Sequence, residues 1–268
     1  MTDLQEYVEV WWHSVGDFVE LVAAVPADEW SLPTDLPGWD VQAVVSHVAH
    51  LEGVLGGAPE EKAEVPELPH VAGPMGRFTE IGVITRRDVE PAVIVEQIRS
   101  YTAARHADLT ATPPSDPRAT APGLFGLIGW TDQTLLRNRP LDIWMHEQDV
   151  RRATGRPGNL DSPGARHSAD YLLESLGFVL GKRLKADPGT TLVAYVEGHR
   201  PTAVTVDDSG RGVPLAEPPS DPDVTLRMDR ETFILLAGGR RPTATDNVAV
   251  EGDRDLAARF LAALAVTP

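Results

Sequence analysis

The sequence predicts an α plus α+β protein: a helical bundle over residues 1–187, then a small α+β domain over residues 188–268. Three observations carry this. Apolar residues recur at helical spacing along the first part. After Asp187-Pro188-Gly189 the texture changes to short runs of β-branched residues. Within the first of these regions, Leu141-Asp142-Ile143-Trp144-Met145-His146-Glu147-Gln148-Asp149 places a carboxylate and an imidazole one helical turn apart, the kind of pair a bundle turns inward.

A chain of 268 residues with 42% hydrophobic content supplies a core without covalent staples. The formal charge of -16 argues against a nucleic-acid footprint or an anionic membrane surface, since both require a basic face. The expected partners are therefore small molecules or another protein. With no cysteine, disulfides, thiolate metal sites and a cysteine nucleophile are excluded. The start Met1-Thr2-Asp3-Leu4 lacks the basic and apolar regions of a signal peptide, and no apolar run has the length of a membrane span. The expectation is a cytoplasmic protein.

Thr2-Asp3-Leu4-Gln5 has the form of a capping box, and Leu4, Val8, Trp11, Trp12, Val15, Phe18, Val19 and Val22 then predict a first helix ending near Ala24. Pro26 stops it, and Trp30 to Gly38 is a connector broken by Pro33 and Pro37. A second helix starts near Asp40, with Val41, Val44, Val45, Val48 and Leu51 as its stripe. At about 100° per residue His47 falls at the edge of that stripe, whereas His50 is turned further toward solvent. From Gly56 to Gly82 a stretch rich in proline and glycine predicts a long loop, either lid-like or poorly ordered, with Glu60, Glu61, Glu64 and Glu67 solvated.

Asp88 to Leu109 predicts the third helix, with Pro91 in its first turn, and Thr112-Pro113-Pro114 ends it. Leu124 to Trp130 is apolar but interrupted by glycine, a packed loop or short turn. The fourth helix follows, with Pro140 either in its first turn or kinking a longer helix from Thr131, and Gly155 at its end. Asp161-Ser162-Pro163 opens a fifth helix reaching about Lys185. Thr191–Val196 and Ala203–Val206, joined through Gly198-His199-Arg200-Pro201, read as a hairpin; Val224–Met228 and Val248–Val250 read as strands, with helices over Arg230–Ala237 and Asp253–Leu264.

His47, Asp142 and His146 come from two helices and offer two nitrogens and one oxygen. That set suits Zn²⁺ best, with Fe, Ni and Co also compatible, and leaves a coordination position open. The bland alternative is an Asp142–His146 hydrogen bond within one helix and an unrelated boundary histidine at 47. Gly53-Val54-Leu55-Gly56-Gly57 is no phosphate loop, and no G-x-S-x-G context supports serine catalysis. Trp144 points away from the Asp142 stripe and reads as structural.

Leu36-Pro37-Gly38-Trp39-Asp40-Val41 followed by Ser46-His47-Val48-Ala49 resembles the second-helix signature of the mycothiol-dependent maleylpyruvate isomerase family, part of the wider DinB-like metal-binding bundles. Arg139 to Arg151 resembles its fourth-helix signature. Asp223-Val224-Thr225-Leu226, Gly238-Gly239-Arg240 and Val250-Glu251-Gly252-Asp253 are similar to the sterol-carrier-like domain that follows the bundle. The resemblance implies a DinB-like bundle plus a sterol-carrier-like domain, and a divalent metal, usually zinc, held by His47, Asp142 and His146. The family's acid is a glutamate, so the shorter Asp142 is a departure, and the family name does not carry over this chain's reaction.

The resemblance further implies a metal-dependent enzyme with mycothiol as thiol cosubstrate, an S-transferase or an isomerase. A chain without cysteine needs such an external thiol, and a cation lowers a thiol's pKa. An arginine of the second domain would hold a substrate carboxylate; Arg240, after two glycines, is the first choice, with Arg241 and Arg227 equally eligible. The competing expectation is a non-catalytic small-molecule or lipid-binding protein, or a regulatory protein, that retains the bundle. The catalytic residues and the oligomeric state stay open.

Overall fold

The computed structural model describes residues 3–241 and 244–267, so Thr2 of the expected capping box lies outside the described residues. The chain divides into two compact units, Met1–Asn159 and Leu160–Pro268. The change from helix to strand expected near residue 187 comes later than this division, because the helix opened by Ser162 packs within the second unit.

In the first unit, α1 (Asp3–Ala23), α2 (Val41–Leu55), α3 (Gly73–Thr85), α4 (Pro91–Ala111), the short α5 (Gly123–Leu127) and α6 (Asp132–Ala153) follow in order. α1 packs on α4 and α6, and α2 packs on α3, α4 and α6. The periodic residues of α1 do what their spacing requires: Val8, Trp11, Val15, Phe18 and Val22 join Val44, Val45 and Val48 of α2 and Ile94 and Ile98 of α4 in one core. Trp12 departs from this pattern, 37% exposed and stacked on His106 at 4.2 Å between ring centroids. Asp40 caps α2 by accepting a hydrogen bond from Ala43 N at 2.8 Å. Thr131 caps α6, so Pro140 lies inside a longer helix, and Gly155 turns left-handed at φ 64° just past its end.

The expected loop from Gly56 to Gly82 is corrected by α3. Pro74 in its first turn starts this helix, but its glycines erase the apolar period that reveals a helix in sequence. Gly82 is needed for contact: a Cβ there would lie 2.2 Å from His50 Cβ. Because α3 covers that side of α2, His50 is not a solvent histidine but 1% exposed, against Phe78 and 3.3 Å from Glu61. Glu61 is likewise not solvated; it accepts from Arg86 Nη1 at 2.7 Å and Thr85 Oγ1 at 2.7 Å. Glu60, Glu64 and Glu67 are exposed as expected.

In the second unit α7 (Pro163–Leu173), capped by Ser162, is followed by a π-helical turn (Phe178–Arg183) in place of the continuous helix expected to Lys185. Strands β1 (Thr191–Val196), β2 (Thr202–Val206), β3 (Gly212–Leu215), β4 (Val224–Met228) and β5 (Ala249–Gly252) form one sheet in the order β3-β2-β1-β4-β5. The expected hairpin is present, with Val193 opposite Ala203; β1 and β4 run parallel and the other pairs antiparallel. β3 went unseen in sequence because it is short and contains Pro214, tolerated only because the strand lies at the sheet edge. α8 (Arg230–Ala237) and α9 (Arg254–Ala262) are capped by Asp229 and Asp253. No described helix is long and apolar enough to cross a membrane.

Burial alone would raise the Glu61 carboxyl, but its bonds to His50, Arg86 and Thr85 outweigh that and hold it far below its ordinary 4.5. A depressed folded pKa contributes stability above the unfolded value and loses it as pH falls below. Glu61→Gln is therefore expected to cost about 1–3 kcal/mol at pH 7, by leaving the buried Arg86 guanidinium short of its carboxylate. The gap between wild type and variant in urea unfolding should narrow as pH falls from about 5 to about 3; an equal gap at both ends would contradict it.

Candidate metal centre

α2 and α6 pack side by side, which sets His47 of the one against Asp142 and His146 of the other. One donor atom from each of the three lies within 4.8 Å of the others. His47 Nε2 is 3.6 Å from Asp142 Oδ2, and His146 Nε2 is 3.6 Å from Asp142 Oδ1. The two imidazole rings meet edge to face at 72°, 4.7 Å between centroids. Both acid–imidazole separations exceed a hydrogen bond, so the Asp142–His146 bond of the bland alternative is not made.

The residues fit a divalent cation on grounds internal to the site. His47 is 5% exposed, and neither of its ring nitrogens has a hydrogen-bond partner among the described residues. Each such group costs about 1–3 kcal/mol if nothing answers it. Burial strips water from the charged form of His47 and outweighs the help of Asp142, holding its pKa at about 4, so the ring is neutral and carries a lone pair at pH 7. For Asp142, burial would raise the pKa, but the Arg139 guanidinium above all, with the imidazoles beside it, holds it well below the usual carboxylate range. Neutral nitrogens and an ionised carboxylate are the forms a cation binds.

Sequence reasoning missed the groups that hold this set. Arg139, 1% exposed, places Nη2 2.9 Å from Asp142 Oδ2 and 2.9 Å from Glu52 Oε1, while its Nε donates to Glu52 at 2.9 Å. Glu52, fully buried, also accepts from Arg105 Nη1 at 3.2 Å, and Arg105 lies over the Trp11 ring. The signal existed: Glu52 continues the Val44, Val48 row at the next i+4 position, an acid where the period calls for an apolar side chain. His146 Nδ1 lies 3.1 Å from Asp149 Oδ2, and Arg152 donates to Asp149 Oδ1 and to Asp35 Oδ2, each at 2.6 Å.

Trp39 closes one side of the site, its ring 5.0 Å from that of His47 and 6.2 Å from that of His146. Its Nε1 donates to Glu80 Oε2 at 3.0 Å, so α3, unrecognised in sequence, orients the indole. The connector that carries Trp39 turns at Gly38, φ 83°, where a Cβ would meet the His70 ring at 2.3 Å; only glycine serves both demands. Trp144 is buried and donates to Asn159 O, a packing role. Arg240 lies in the second unit, 9% exposed, with Nη1 donating to Gly238 O at 2.7 Å and Thr267 Oγ1 at 3.1 Å. Arg227 lies over the Tyr195 ring and pairs with Glu251.

An acid and two histidines converging inside a helical bundle, followed by a small α+β unit, define the architecture of this chain. The chain belongs to the mycothiol-dependent maleylpyruvate isomerase family: residues 11–151 match the mycothiol maleylpyruvate isomerase N-terminal domain and residues 166–259 the C-terminal domain found with it. Two uncharacterized proteins of Mycobacterium tuberculosis, MT0041 and Rv0036c, are 30% identical over 141 residues, 52% of this chain and 52% of theirs. The chain thus matches over about half the length of these relatives. The crystal structure of the mycothiol-dependent maleylpyruvate isomerase superposes with a TM-score of 0.58 over 92% of each chain at 16% identity, a likeness of fold.

Arg139 lies between the fully buried Glu52 and the partly buried Asp142. Arg139→Gln is expected to cost about 3–5 kcal/mol, because Glu52 and Asp142 lose its charge without regaining water. Urea unfolding of the metal-free protein measures this, and a loss below about 1 kcal/mol, the range of a surface pair, would contradict it.

Proposed function

We propose that the protein is a metal-dependent enzyme that uses mycothiol, activating the thiol for attack on a small electrophile and yielding an S-adduct or an isomer. One observation carries this: donor atoms of His47, Asp142 and His146 converge within 4.8 Å of one another, and the buried His47 ring has no hydrogen-bond partner among the described residues. Two nitrogens and one oxygen leave a fourth position of a tetrahedral zinc site for a ligand that is not protein. Family membership supports the choice of mycothiol, and a chain with no cysteine has no thiol of its own.

His47, Asp142 and His146 would hold the cation. Bound there, a divalent metal supplies Lewis acidity, which lowers the pKa of a thiol enough to give thiolate at neutral pH. The chain's own groups do the rest. Arg139 keeps Asp142 ionised and fixed in direction. Burial keeps His47 neutral, so no proton competes for its nitrogen near pH 7. Trp39 shields the two imidazoles from water on its side. A substrate carboxylate would be held by Arg240 only on exchange of its bonds to Gly238 and Thr267. The reaction belongs in the cytoplasm, where small thiols are kept reduced.

Protein purified without added metal is expected to carry about one zinc per chain by elemental analysis, falling to a trace in His47→Ala. The zinc-loaded protein should consume mycothiol with at least one member of a panel of small electrophiles, and the variant should not. A wild-type chain without metal would overturn the site; a metal-loaded chain inert to the whole panel would overturn the reaction.

A further inference from the structure

A chain of charged groups runs from the candidate ligand His146 to the connector before α2. His146 Nδ1 faces Asp149 Oδ2 at 3.1 Å. Asp149, fully buried, takes Arg152 Nη2 on its other oxygen at 2.6 Å, and Arg152 Nε reaches Asp35 Oδ2 at 2.6 Å. Asp35 is four residues before Trp39, whose ring lies against both imidazoles. Asp149 and Arg152 are three apart on α6, one turn on from His146, so the helix presents all three on one side.

We infer that Asp149 and Arg152 are positioning residues for the metal centre: Asp149 sets the tautomer and direction of His146, and the Asp149–Arg152–Asp35 bridge ties the Trp39 connector to that same histidine. The inference rests on the metal reading above and deepens it. A carboxylate has only acceptors to offer, so Asp149 holds a proton on His146 Nδ1 and turns Nε2 toward Asp142 and His47. Without that bond the ring could rotate, or move its proton to Nε2 and lose the donor the site requires. Arg152 opposes any turning of Asp149 by holding its second oxygen. Because the same guanidinium holds Asp35, a displaced connector pulls on the bridge and on Trp39 together.

Asp149→Asn is the decisive variant. Its amide nitrogen can donate to Nδ1, which favours the Nε2–H tautomer while the shape of the side chain is kept. In the metal-free proteins, long-range proton–nitrogen NMR of the imidazoles reads the tautomer directly. Wild type is expected to show Nδ1–H at His146, and the variant a shift toward Nε2–H. Zinc affinity, by competition with a chromogenic chelator, should fall about 10- to 100-fold in Asp149→Asn. It should fall by less in Arg152→Gln, with partial recovery in Arg152→Lys. Arg151→Gln, one residue away but paired with Glu147, should bind zinc as wild type does. The inference is overturned if Asp149→Asn keeps the Nδ1–H tautomer, or binds zinc as tightly as wild type. If wild type itself binds no zinc, the metal reading fails, and the tautomer spectra still decide the role of Asp149.

Discussion

The structure of the first unit depends on the placement of Arg139 between Glu52 and Asp142. A guanidinium that is 1% exposed can exist only with its charge matched, and the two carboxylates match it from one side of α2 and from its own helix. The consequence reaches in both directions. Toward the core, Glu52 collects a second cation, Arg105, and ties α4 to α2. Toward the candidate site, Asp142 is kept ionised where burial would otherwise protonate it. Replacing such a network with apolar groups of the same volume often stabilises a protein, so its presence is better understood as positioning than as a contribution to folding.

The same logic bears on His47, whose ring nitrogens have no hydrogen-bond partner among the described residues. A buried histidine normally finds a partner for each ring nitrogen it can, and among the described residues His47 has none within hydrogen-bond reach. Its neighbours are an imidazole edge, the Trp39 face and a carboxylate already directed by Arg139. The surroundings hold the donors in place while leaving their lone pairs to something else. That convergence of donor atoms follows from packing and charge without reference to the family.

Much of the bundle was legible because its helices obey simple periodicities and carry clear signals at their ends. Asp40, Thr131 and Ser162 cap the helices they precede, and the valines of α2 mark its inner face. The failures have a common cause. α3 is rich in glycine because it approaches α2 closely, and close approach needs small residues that in sequence read as loop. Once α3 is missed, His50 and Glu61 are assigned to solvent, since the surface that buries them is not known to exist. β3 fails for the opposite reason: a proline in a four-residue strand is permitted only at a sheet edge, and edges are defined by the whole sheet.

The sequence by itself determined the helical and α+β parts and the family, and offered His47, Asp142 and His146 as candidates, because these rest on periodicity and motifs within single segments. Only the tertiary structure decided that His47 faces Asp142 and His146, that Arg139 and Glu52 brace them, and that Trp39 is held by Glu80. Those relations join residues on different helices, and the distance between two helices depends on every side chain packed between them.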